Sequence, residues 1–96
     1  MLIDKGVTAG EVVTIKLTSG EELIARLEEE TATHFKLAKP MVLSMGPKGI
    51  GMVPYLITAD ADKSVKIRNA TVTAIESTQK EFADSYTEQT TGIKLV

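Results

Sequence analysis

Val13-Thr14-Ile15-Lys16-Leu17-Thr18-Ser19-Gly20-Glu21-Glu22-Leu23-Ile24-Ala25-Arg26-Leu27 is the stretch that decides the fold. In its first half apolar Val13, Ile15 and Leu17 alternate with polar Thr14, Lys16 and Thr18, the two-residue period of a strand with one buried face. Ser19-Gly20 interrupts the run, where glycine's tolerance of positive φ suits a tight turn. Leu23, Ala25 and Leu27 then resume the alternation. A hairpin of two half-buried strands, over 11–18 and 22–30, is predicted.

Downstream the same logic continues. Phe35 and Leu37 take one face of a third strand, with His34 and Lys36 on the other. Pro40 offers no N–H to a ladder, so the strand must bulge, bend or run along an edge before Met41-Val42-Leu43 continues it. Gly46-Pro47-Lys48-Gly49-Ile50-Gly51 reads as a loop. A fourth strand is predicted over 52–58, limited by Pro54, and one or two short strands follow over 65–75 through Val65, Ile67, Val72 and Ile75. In the tail, Thr78 and Glu81 match a capping box, and Phe82 and Tyr86 fall four apart on one face of a short helix over 79–88, docking it onto the sheet. Upstream, Gly6 and Gly10 make residues 1–10 an arm.

About five short strands with tight connections predict a mainly β fold, a small, strongly bent antiparallel sheet or barrel with a short C-terminal helix. Residues 1–96 read as a single domain with its core at about 11–76 and a tail over 77–96. Strand edges left open by proline are covered economically by a neighbouring copy.

The composition narrows function. Hydrophobic residues are 43% and charged residues 25% of the chain, which fits a folded domain. No cysteine is present, which excludes disulfides, thiolate metal sites and a cysteine nucleophile. Asp4 and Lys5 stand where a signal peptide needs an apolar run, so neither a targeting nor a membrane segment is expected and a cytoplasmic setting fits. The net charge of −2 conceals a pattern: residues 31–75 hold six bases (Lys36, Lys39, Lys48, Lys63, Lys66, Arg68) against two acids (Asp60, Asp62), while both ends are acidic.

Two segments, 13–27 and Ile67-Arg68-Asn69-Ala70-Thr71-Val72-Thr73-Ala74-Ile75, together resemble the two sequence motifs of the Sm and Sm-like (LSm) family. The first is similar to the strand, glycine turn and strand that open that SH3-like barrel, and the second to its closing Ile-Arg-Gly-x-x-Val-x-x-Ile signature. Ala25 and Asn69 stand where the family carries glycines, and asparagine tolerates positive φ better than most residues. With Phe35 aligned to the methionine of the family's Asp-x-aromatic-Met-Asn turn, Ala32, His34 and Lys36 fall at its acid, stacking and amide positions. The Gly-Pro loop and acidic tail resemble those of small phage-type Sm-like proteins. The resemblance implies a homo-oligomeric ring of about five to seven subunits that binds single-stranded nucleic acid, RNA before DNA, with a role in its processing or chaperoning.

His34, Lys36, Arg68 and Asn69 are the candidate nucleic-acid-binding residues: a ring to stack on a base, two cations for phosphates or base edges, and an amide for hydrogen bonds. Equally, His34 and Lys36 suit the solvated face of a strand, and Arg68 suits a pair with a neighbouring subunit's carboxylate. Asp60-x-Asp62 lacks the remaining ligands of a calcium loop and reads as a polar turn. Glycines 46, 49 and 51 lack the lysine and hydroxyl of a phosphate loop. Met41, Met45 and Met52 suit core gap-filling or an adaptable contact surface. One histidine without a nucleophile motif argues against an enzyme, and no cofactor or small-molecule substrate is called for. The competing expectation is a protein-contact or assembly module on the same barrel.

Overall fold

The computed structural model describes residues 7–92, so six residues of the expected arm and residues 93–96 of the tail lie outside the described part. Six strands and one helix are formed: β1 (Val12–Leu17), β2 (Glu22–Glu30), β3 (His34–Gly46), β4 (Gly49–Pro54), β5 (Val65–Arg68), β6 (Val72–Ser77) and α1 (Lys80–Thr91). The ladders are antiparallel and run β4-β3-β2-β1-β6, with β5 also paired to β3.

The alternation read in the sequence sorts the core. Val13, Ile15, Leu17, Leu23, Ala25, Leu27, Phe35, Leu37 and Ile67 form one buried cluster, with Val65, Val72 and Ile75 packed against it. Ile67 on β5 and Ile75 on β6 reach this cluster from opposite ends of the sheet, so the sheet is curled around it. It is not closed, however, because no ladder joins β6 to β4 or β5 among the described residues. Of the expected bent sheet or barrel, the open curled sheet is the form observed. The count of six corrects the expected five. Residues 69–71 make a turn of 3-10 helix that splits the last stretch, sending β5 to β3 and β6 to β1.

Three local expectations are corrected. The Gly-Pro segment is mostly strand, not loop: β3 and β4 pair from Gly46↔Gly49 back to Met41↔Pro54, leaving only Pro47 and Lys48 in the turn. Gly49 at φ +114° supplies the backbone conformation that this tight connection needs. The strand consequently ends at Pro54 instead of continuing to residue 58. At the start of α1 no capping box forms. The N-cap is Gln79 without a side-chain cap, and the Thr78 hydroxyl bonds that of Thr14 at 2.8 Å.

The bend demanded by Pro40 is present. Ile24 pairs with Met41 and Arg26 with Ala38, so Lys39 and Pro40 together oppose Ala25 in a bulge, with Lys39 at φ +47°. That bulge frees backbone groups from the ladder, and α1 supplies their partner. The hydroxyl of Tyr86, a residue only 1% exposed, accepts from the Arg26 N–H at 3.2 Å and donates toward the carbonyls of Ala38 (2.8 Å) and Lys39 (2.9 Å). The expected docking of the helix through its aromatic face is thus observed. α1 is too short to cross a membrane, and no other helix among the described residues is long and apolar enough.

Burial pushes the Tyr86 phenol above its ordinary range. A folded-state pKa raised above the unfolded value means that this contribution to stability is complete below pH of about 10 and is lost as pH climbs through the folded value. Tyr86→Phe leaves three backbone groups without their partner, so urea unfolding at neutral pH is expected to show a loss of about 1–3 kcal/mol. The same variant should lose less on going to alkaline pH than the parent, since phenylalanine does not ionise. Unchanged neutral stability would show that the hydroxyl is dispensable to the bulge.

Candidate nucleic-acid interface

β5 pairs with the first half of β3 in the register His34↔Arg68, Phe35↔Ile67, Lys36↔Lys66 and Leu37↔Val65. Phe35, Leu37 and Ile67 point into the core, so period-two geometry turns His34, Lys36, Lys66 and Arg68 to the outer face. Residues directly opposite on an antiparallel pair have Cβ atoms about 4.5–5.5 Å apart. The ladder therefore brings His34 beside Arg68 and Lys36 beside Lys66. Lys66 and Arg68 are exposed, and His34 and Lys36 are half-buried. Among the described residues none of Lys36, Lys66 and Arg68 forms an ion pair.

Three of the four residues expected from sequence thus meet on one surface. Lys66 joins them and was not singled out, although its position two residues before Arg68 places it on the same strand face. The acids nearest in register belong to β2, where Glu29 pairs across from Lys36. The other bases of the segment lie apart. Lys39 reaches the carbonyl of Ala61 at 3.5 Å and the carboxylate of Asp62 at 4.0 Å. Lys48 sits in the β3–β4 turn.

Asn69 has a different position. Its backbone N–H donates to Thr33 O at 2.9 Å, and its side-chain Nδ2 donates to Thr31 O and Ala32 O, each at 3.2 Å. Both amide hydrogens are therefore committed to the β2–β3 turn. The amide oxygen Oδ1 is buried and has no hydrogen-bond partner among the described residues. Nor is positive φ the reason for asparagine here, because Lys39 is the only described non-glycine residue with it. Asn69 ties the 68–71 turn to the 31–33 turn, which is also held by the Thr31 hydroxyl accepting from the N–H groups of Thr33 (3.2 Å) and His34 (3.1 Å). Thr33 Oγ1 lies 3.1 Å from His34 Nδ1 and orients the ring. Thr31 and Thr33 are thus supporting residues that sequence reasoning missed. Their signal was only the ordinary enrichment of threonine in turns.

Elsewhere Asp60 Oδ1 accepts from the Asp62 N–H at 3.0 Å, a polar turn closed on itself. Met41 and Met52 are half-buried, whereas Met45 is 80% exposed on the β3–β4 hairpin opposite exposed Ile50, and Val53, Leu56 and Ile57 are exposed further along the chain.

Asn69→Gly restores the glycine of the resembled motif but deletes the amide that holds the two turns. Because no positive φ needs relief, the substitution is expected to lower stability by about 1 kcal/mol in denaturant unfolding. A stabilised variant would mean that the amide bonds contribute nothing.

No protein-family model matches this chain, and no curated protein matches its sequence.

Proposed function

We propose that the protein is a non-catalytic, Sm-like binding module that assembles into a homo-oligomeric ring and holds single-stranded nucleic acid, RNA before DNA. The observation that supports this most is the β3–β5 register, which gathers His34, Lys36 and Arg68 onto one outer face, where among the described residues Lys36 and Arg68 form no ion pair. Repetition of that face in an assembly multiplies a local positive potential despite the overall negative charge. The free edges support assembly. Among the described residues β5 pairs only with β3 and β6 only with β1, so each keeps an unpaired side. Pairing β5 of one copy with β6 of the next is a head-to-tail contact, which closes into a ring when the rotation permits.

Native mass spectrometry, with and without a U-rich single-stranded RNA, tests both parts. A discrete assembly that gains one RNA is expected. Lys36→Gln with Arg68→Gln should weaken RNA binding by about tenfold or more while leaving the assembly mass unchanged. Equal affinity in the double variant removes the site from these residues.

A second reading, a protein-contact module, is favoured by the exposed apolar side chains of the β3–β4 hairpin and the segment after it, with Met45 80% and Ile57 84% exposed. An assembly that ignores RNA at low salt selects this reading.

A further inference from the structure

The nucleic-acid reading leaves open what part of the ligand is held, and the outer face of β3 and β5 bears on that question. Lys36 and Lys66 stand directly opposite each other, as do His34 and Arg68. The like charges of Lys36 and Lys66, directly opposed, destabilise the ladder unless an anion lies between them. The two cross-strand pairs are two residues apart along the strands, about 6.8 Å, so they form a short row instead of a single pocket.

Apart from the Arg68 guanidinium, groups that would read a base are absent from that row. Asn69 has spent both amide hydrogens on Thr31 and Ala32, and its oxygen is buried. The chain has no tryptophan, two phenylalanines and two tyrosines. Phe35 and Tyr86 are buried, Tyr55 packs against the core, and Phe82 lines a groove with Thr14, Ile24 and Leu43. His34 is therefore the only ring on this face among the described residues. Single-strand binding without base selection rests on a positive groove plus stacking platforms, and here the charge component dominates. Glu29, opposite Lys36 on β2, bounds the row on the β2 side, and Glu28, whose carboxylate accepts from the Ser64 hydroxyl just before β5, bounds it at the Val65 end.

Resting on the nucleic-acid reading, we infer that the outer face of the β3–β5 ladder grips the phosphodiester backbone of a single strand through Lys36, Lys66 and Arg68, and does not select its bases. Lys66 carries as much of the contact as Lys36. Glu29 opposes it.

Fluorescence anisotropy of the full chain with labelled oligo-U, oligo-A and oligo-C of about twelve nucleotides, within the span of known single-strand sites, tests this across a salt series. Dissociation constants within about threefold of one another are expected, with inorganic polyphosphate displacing all three probes. Lys66→Gln, at an exposed position where it removes a like-charge contact, should weaken each probe by about fivefold and reduce the slope of log affinity against log salt by about 0.7 per engaged protomer. Glu29→Gln should strengthen binding. A spread of more than about tenfold among the three oligomers, or a Lys66→Gln variant that keeps the parent's affinity and slope, overturns the backbone grip while leaving nucleic-acid binding in place. Absence of binding to every oligomer at low salt instead overturns the underlying reading, whatever polyphosphate does.

Discussion

The structure turns on one phenol hydroxyl. Where Lys39 and Pro40 oppose Ala25, the β2–β3 ladder is interrupted, Pro40 has no N–H to give, and Lys39 adopts a left-handed conformation that costs a non-glycine residue roughly 1–2 kcal/mol. Buried backbone groups left without partners there would cost more than the bulge could bear. Tyr86 answers three of them from outside the sheet, accepting from Arg26 and donating toward Ala38 and Lys39. Helix and sheet are consequently interdependent. The Arg26 guanidinium extends the same junction, donating to Gly10 O at 2.7 Å and reaching the Thr87 hydroxyl at 3.4 Å. The bend lets one strand serve two partners, β5 along residues 34–37 and β4 along 41–46. Without it β3 could not present its first half to a strand that arrives from a different direction.

What was legible in the sequence follows from which interactions are local. Val13, Ile15, Leu17, Leu23, Ala25, Leu27, Phe35, Leu37 and Ile67 announce their burial by alternation, whereas Ile24, 0% exposed between Leu23 and Ala25, breaks the pattern because that stretch of β2 is covered on both faces. Proline also declared that β3 must deform. The partner that makes the deformation tolerable lies 47 residues away along the chain from Lys39, and no local pattern links the two. The Gly-Pro segment misled for a related reason. Glycines weaken a strand interior, but on a short exposed hairpin at the sheet's edge the ladder tolerates them, and only Gly49 has the positive φ that glycine uniquely eases. Thr78 and Glu81 have the spacing of a capping box, yet Thr14 competes for the threonine hydroxyl.

The same distinction divides the candidate site. His34, Lys36 and Arg68 were readable as the polar halves of alternating runs. Their convergence was not, because it depends on register, and a slip of one residue would have turned His34 and Lys36 inward. Register also brings in Lys66. Asn69 shows the converse: its place in the resembled motif suggested either a backbone role or a base-reading amide, whereas its side chain is occupied in joining two turns. A polar residue at a motif position is available to a ligand only after its own protein has been satisfied.

Core and charge on this ladder are two faces of one arrangement. Alternation that sends Phe35, Leu37 and Ile67 inward must send His34, Lys36, Lys66 and Arg68 outward, so Lys36, Lys66 and Arg68 are held in place by apolar packing and, among the described residues, not by ion pairs of their own. β5 is only four residues long and borders solvent on one side, which makes it the element least able to absorb like-charge repulsion. Its anchors are the Phe35–Ile67 contact on the inner face and the Asn69 bonds to residues 31–33 at its end. An anion lying along the outer face removes the repulsion those anchors otherwise oppose. By mass action, any ligand that prefers the ordered strand also stabilises it. On the proposed reading, order in β5 and occupancy of the cation row are coupled, and because β5 also carries one of the sheet's free edges, the coupling extends to the edge that assembly would use.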